Sequence, residues 1–167
     1  MITSLGGLAG EGVTKESRTN GRLTNNFPDV RAKACDLLGE IPTKESKNIL
    51  CTIAENDKEP MVVSAAIRSL GNIGLNENDE ENGSVQIADD VVAMIQFIHK
   101  KFAALNPTSS LAFEILVAYE KLAPNVTDKN AMIQSITEIA KNHKYNALVR
   151  TRALELLNTL NGKVIVK

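Results

Sequence analysis

Four stretches of this chain can be written under one another without a gap: DVRAKACDLLGEI at 29–41, MVVSAAIRSLGNI at 61–73, SLAFEILVAYEKL at 110–122 and LVRTRALELLNTL at 148–160. Val30, Val62, Leu111 and Val149 then share one column. Ala34, Ala66, Ile115 and Ala153 share the next, followed by Cys35, Ile67, Leu116 and Leu154. Leu38, Leu70, Tyr119 and Leu157 follow, and Ile41, Ile73, Leu122 and Leu160 close the pattern. These intervals place the apolar residues on one face of a helix. A single amphipathic helix cannot bury such a stripe alone, so each copy must find its cover on a neighbour.

A second helix is predicted ahead of three of these copies. TKESKNILCTIAEN (43–56) sets Ile49, Leu50, Ile53 and Ala54 on one side. SVQIADDVVAMIQFIHKKFAA (84–104) repeats Ile87, Val91, Ile95, Ile98 and Phe102, and TDKNAMIQSITEIAKNH (127–143) repeats Met132, Ile133, Ile136, Ile139 and Ala140. Thr43 with Ser46, Ser84 and Thr127 are placed to accept free N–H groups of first turns, and Asp29 to cap the first inner helix with Pro28 outside it. The chain therefore reads as an all-α stack of helix–turn–helix units, an α-solenoid, with repeats at 14–41, 43–74, 84–123 and 127–160. Equivalent positions are 32, 49 and 38 residues apart, the long interval being taken up by the acidic stretch 76–84 and a longer outer helix.

Both ends read as cuts through a longer array. Residues 1–10 align as the tail of an inner helix, Leu5, Gly6 and Leu8 against Leu38, Gly39 and Ile41. Thr14-Lys-Glu-Ser repeats Thr43-Lys-Glu-Ser, which predicts a weak outer helix over 14–26, poor because of Gly21 and its neighbouring asparagines. Residues 161–167 are a tail in which the Asn161-Gly162 stop is followed by the unpaired apolar Val164-Ile165-Val166. Terminal repeats need polar caps, so the uncapped ends predict self-association.

The inner pattern resembles the HEAT-repeat family, in particular the bacterial HEAT-like repeats of phycobilisome-lyase type. The resemblance rests on Pro28-Asp29-Val30-Arg31 with Ala34, Leu38 and Gly39, on Val62, Ala66, Leu70 and Gly71, and on Val149-Arg150 with Ala153 and Leu157. The third copy departs most, lacking the Val-Arg pair and carrying Glu120 in place of Gly. The resemblance implies a scaffold or adaptor whose inner helices line a concave, partner-gripping surface.

Composition narrows the chemistry. Charges nearly cancel, 19 basic against 20 acidic, so no long-range field draws in nucleic acid or an anionic membrane. Trp is absent and aromatics are 4%, which leaves little for base stacking or for a bilin pocket. Cys35 and Cys51 are too few and too far apart for a disulfide framework or a zinc site. His99 and His143 read as last-turn cations of outer helices. No phosphate loop, nucleophile elbow or metalloprotease motif occurs, so no catalytic, cofactor or metal residue is assigned. The acidic residues Glu77, Asp79, Glu80 and Glu81 lack the ordered spacing of a calcium loop. No run reaches the roughly 20 apolar residues of a membrane span, and a cytoplasmic setting is the expectation.

The expected function is thus protein–protein binding without catalysis, with Arg31, Lys33, Arg68, Glu114, Arg150 and Arg152 as the partner-facing residues. Two other classes compete: a regulatory or lyase-like subunit of an enzyme complex, which turnover or a bound chromophore reveals, and a nucleic-acid binder, which salt-dependent retention on DNA reveals.

Overall fold

The computed structural model describes residues 1–74 and 83–162. Among them eight helices follow one another: α1 (Ile2–Ala9), α2 (Pro28–Gly39), α3 (Lys44–Asn56), α4 (Pro60–Ile73), α5 (Gly83–Leu105), α6 (Ser109–Leu122), α7 (Asn130–Lys141) and α8 (Ala147–Leu160). A two-stranded hairpin, β1 (Arg18–Thr19) and β2 (Arg22–Leu23), lies between α1 and α2. The acidic residues 77–81 and the tail after Gly162 fall outside the described residues.

The helices form two layers. One runs α1, α2, α4, α6, α8, each helix packed on the next; the other holds α3, α5 and α7, which lie against them and against one another. This is the all-α solenoid that the four aligned stretches predict. Its core is aliphatic: Ala34, Ala66, Ile115 and Ala153 of one column are all buried, as are Leu38, Leu70 and Tyr119 of another. Thr43 caps α3 as expected, its Oγ1 accepting from Ser46 N at 3.1 Å. Asn146 does the same for α8, accepting from Val149 N at 2.9 Å.

Other starts differ from expectation. Pro28 is the first residue of α2, where its missing N–H costs nothing, and Asp29 lies in the first turn without capping it. α7 begins at Asn130, and Asp128 rather than Thr127 accepts from Asn130 N, at 2.9 Å.

The largest correction is at 14–26, where the predicted outer helix is replaced by loop and hairpin. Asn20 and Gly21 both have positive φ, 51° and 78°. That is the backbone of a two-residue turn whose twist matches two antiparallel strands, and Thr19 pairs with Arg22 across it. Asn-Gly between short extended runs is itself a hairpin signal. The tetrapeptide shared with α3 points the other way, yet Thr14-Lys-Glu-Ser has no apolar stripe behind it to hold a helix.

Glycine explains how closely the inner helices approach. A Cβ on Gly39 would sit 2.7 Å from Ser69 Cβ, and one on Gly71 3.0 Å from Ala118 Cα. Gly39 and Gly71 share a column, and so do Ser69 and Ala118. Two successive junctions are therefore closed by the same small-on-small contact.

Candidate functional site

The predicted partner-facing residues lie on α2, α4, α6 and α8, and the structure sorts them by environment. Arg31 is corrected outright: it is 1% exposed and unable to meet a partner. Its Nε donates to Asp57 Oδ2 at 2.7 Å and its Nη2 to Asp57 Oδ1 at 3.3 Å. Nη1 donates to Asn26 Oδ1 at 2.8 Å and to the Glu11 carbonyl at 3.3 Å. Asp57 closes α3 and precedes α4, so this paired, hydrogen-bonded charge ties α2 to the following unit and to the loop before it. The signal lies in its own column, where Val63 and Ala112 stand beside Arg31; a column that is half apolar faces protein. Both are buried.

Arg68 is half-exposed and bridges three helices. It donates to Asp36 of α2 at 2.7 Å and to Glu114 of α6 at 2.9 Å, and the Asp36 hydrogen bond is the main cause holding its guanidinium in the charged form. Arg152 of α8 pairs with Glu120 of α6 and, at 3.6 Å, with Glu155 of its own helix. Lys121 donates to Asn72 Oδ1 at 2.7 Å. Lys33 is exposed on α2. The signs that alternate along the columns are therefore matched pairs across helices. Such half-exposed pairs contribute only about 0–1 kcal/mol each, so they set surface chemistry more than stability. On the same helices Met61 and Phe113 remain exposed at 48% and 40%.

Arg150 stands apart. Nη1, a donor only, lies 3.0 Å from His143 Nδ1, which accepts. Its Nε is buried with no hydrogen-bond partner among the described residues.

Neither histidine is a last-turn cation of its helix. His143 lies beyond the end of α7. His99 lies inside α5 and is buried, its Nδ1 3.3 Å from Ser135 Oγ and 3.8 Å from Glu138 Oε2. Burial lowers its pKa from the ordinary 6.5, against the attraction of Glu138, and so favours the neutral ring.

Cys35 is buried and Cys51 half-buried. Burial pushes their thiols up, to about 12 and about 11, which leaves little thiolate for nucleophilic chemistry near neutral pH. Among the described residues no three His, Cys, Asp or Glu side chains gather as a metal site, and no helix is long and apolar enough to cross a membrane. A polar cleft of about 350 Å³ between the hairpin and the start of α4 is lined by Glu16, Arg18, Asn26, Arg31, Asp57 and Lys58. Arg18 there is paired with Glu16 at 2.9 Å and Arg31 with Asp57. Among the described residues no hydroxyl, thiol or imidazole lines it.

No curated protein and no solved structure matches the chain. Residues 19–86, from the hairpin through α2, α3 and α4 into α5, match the family model for HEAT repeats. HEAT repeats generally mediate protein–protein interaction. Residues 19–86 thus carry HEAT repeats, and the same helix pairing continues through α8.

Proposed function

We propose that this protein is a non-catalytic scaffold that binds another protein across the face formed by α2, α4 and α6. The carrying observation is the chain of charges Asp36, Arg68 and Glu114 beside exposed Met61 and Phe113. The ion pairs neutralise one another along the face, which removes the single-sign track a polyphosphate needs. Paired polar groups around apolar side chains are the composition of a protein-binding surface. Lys33 and Arg152 lie at its margins, where charge steers approach more than it holds a complex.

The test is affinity capture from source lysate, with the native chain against Met61→Glu/Phe113→Glu, folding of the variant being checked by circular dichroism. The expected outcome is a protein captured by the native chain, lost with the variant and crosslinked to α4 or α6. Equal capture by both chains defeats the proposal. So does turnover or a chromophore in the purified protein, which favours the lyase-like reading, or steeply salt-dependent retention on DNA.

A further inference from the structure

The charges that cancel over the whole chain do not cancel along one edge of it. No Asp or Glu occurs from Gln96 to Phe113, which holds Lys100 and Lys101, or from Ile139 to Leu154, which holds Lys141, Lys144, Arg150 and Arg152. The fold brings these two stretches together. α5 and α7 run side by side in one direction, Gln96 Nε2 donating to Gln134 Oε1 at 3.0 Å and His99 Nδ1 lying 3.3 Å from Ser135 Oγ. Their ends therefore reach the same edge. There Asn146 N donates to Ser109 Oγ at 3.0 Å, tying the α7–α8 turn to the α5–α6 turn. Lys100, Lys141 and Lys144 are exposed and form no ion pair among the described residues. The acids nearby are spoken for or lie outside: Glu138 is 3.8 Å from buried His99, and Glu55 and Glu59 belong to the α3–α4 region. Lys101, which donates to the Glu55 carbonyl, marks that boundary.

The same edge is tipped with leucine. Leu105 ends α5 and Leu148 lies in the first turn of α8. At 76% and 73% they are more exposed than any other leucine among the described residues. Neither exposure depends on where the stack stops. The α5–α6 turn has a described unit on either side. The Leu148 column is exposed at Asp29, Met61 and Ser110 as well, each of which has a following unit.

We infer that this edge is a docking surface for an anionic lipid bilayer, the leucines entering the interfacial layer and the lysines meeting the charged headgroups. Two observations together choose this occupant. Lysines without acidic partners are what an anionic leaflet attracts, each strengthening binding about fivefold near the surface. Leucines beside them gain nothing from a bare phosphate track, which takes only charge, but bury apolar area at the headgroup boundary. Both leucines sit at helix ends and are almost fully exposed. Such tips suit a deformable interface, whereas a protein partner would need a pocket shaped to each of them.

The test is flotation of the full 167-residue chain with phosphatidylcholine vesicles containing about a third phosphatidylserine, against vesicles of phosphatidylcholine alone. Binding to the anionic vesicles only is expected, weakening as salt is raised. Lys100→Glu/Lys141→Glu/Lys144→Glu should weaken it about a hundredfold or more. Leu105→Ser/Leu148→Ser should weaken it about tenfold or more, because the apolar area that enters the interface is lost. All five side chains are exposed, so both variants fold, as circular dichroism confirms before use. The chain has no Trp, so Leu105→Trp supplies a single reporter whose emission should shift to the blue when anionic vesicles are added. No binding to the anionic vesicles, or an unshifted emission from Leu105→Trp, overturns the inference. Binding lost with the lysine variant but indifferent to the leucine variant also overturns it, and gives the edge to a soluble polyanion such as an acidic protein segment.

Discussion

Two junctions in the same row of helices are built in opposite ways. Between α4 and α6, Gly71 faces Ala118, and the backbones close until a single added carbon would lie 3.0 Å from the opposing Cα. Between α6 and α8 the same two columns hold Glu120 and Leu156. A glutamate cannot enter a close backbone approach, so its carboxylate turns outward to Arg152, while Leu156 is buried. α8 accordingly packs more on α7 than on α6. One residue column thus decides whether neighbouring units are locked by backbone proximity or linked through side chains. The third copy, the one that departs from the repeat pattern, is where the stack loosens.

The sharpest way to probe this contrast is to compare charge burial at the closed end with charge pairing at the open end. Asp57→Ala strands the buried Arg31 guanidinium, whose side chain is 2% exposed. Removing one partner of a buried pair costs about 3–5 kcal/mol, so urea unfolding should show a larger loss than for any of the substitutions that follow. Glu120→Ala strands nothing, since Arg152 is near water, and should shift stability by no more than about 1 kcal/mol. Comparable losses for the two would mean that the α6–α8 link is as essential as the buried one.

Second in size is the glycine column. Gly71→Val should destabilise by about 1–3 kcal/mol through overpacking against Ala118, measured by the same unfolding curves. Asn158→Val, in that column on α8, meets no following helix among the described residues and should leave stability within about 0.5 kcal/mol.

A smaller effect concerns pH. His99 is buried against α7, with Ser135 and Glu138 facing it and Lys100 beside it on α5. Its folded pKa lies below 6.5 because burial disfavours the charged ring. The unfolded chain therefore takes up the proton first as pH falls, and this contribution to stability, complete above about pH 6.5, is lost progressively below it. Unfolding curves between about pH 7.5 and pH 5 should show that loss, and His99→Leu should flatten it. An unchanged slope in the variant would assign the pH dependence to other groups.

A similarly small change is expected for Arg68→Ala. Its pairs with Asp36 and Glu114 are half-exposed, and the unfolding midpoint should shift by an amount equivalent to about 1 kcal/mol or less.

How legible the molecule is depends on whether a feature repeats. The four inner helices lie within a residue or two of the aligned stretches, and α3 and α5 begin within one residue of theirs, because apolar spacing reports which helix face must leave water. Candidate site residues are less legible. Of Lys33, Arg68, Glu114 and Arg152, three are already committed to ion pairs whose partners sit 32 or 46 positions away. Arg31 goes to the wrong side when a charged residue is read by its type, while its column neighbours Val63 and Ala112 say that the position is inside.

Sequence alone determined the helical units, since periodicity sets a helix's buried face as a local consequence of backbone geometry. The turn at Asn20-Gly21 falls instead within a stretch whose sequence predicts a helix. Only the tertiary structure decided what each unit's neighbour covers. Val30 is 42% exposed although Val62, Leu111 and Val149 in its column are buried, because the short α1 leaves it open in the groove it shares with Leu5, Leu8 and Leu37. Leu154 is exposed for the corresponding reason at α8. Burial is a property of a pair of surfaces, and a repeating sequence describes only one of them.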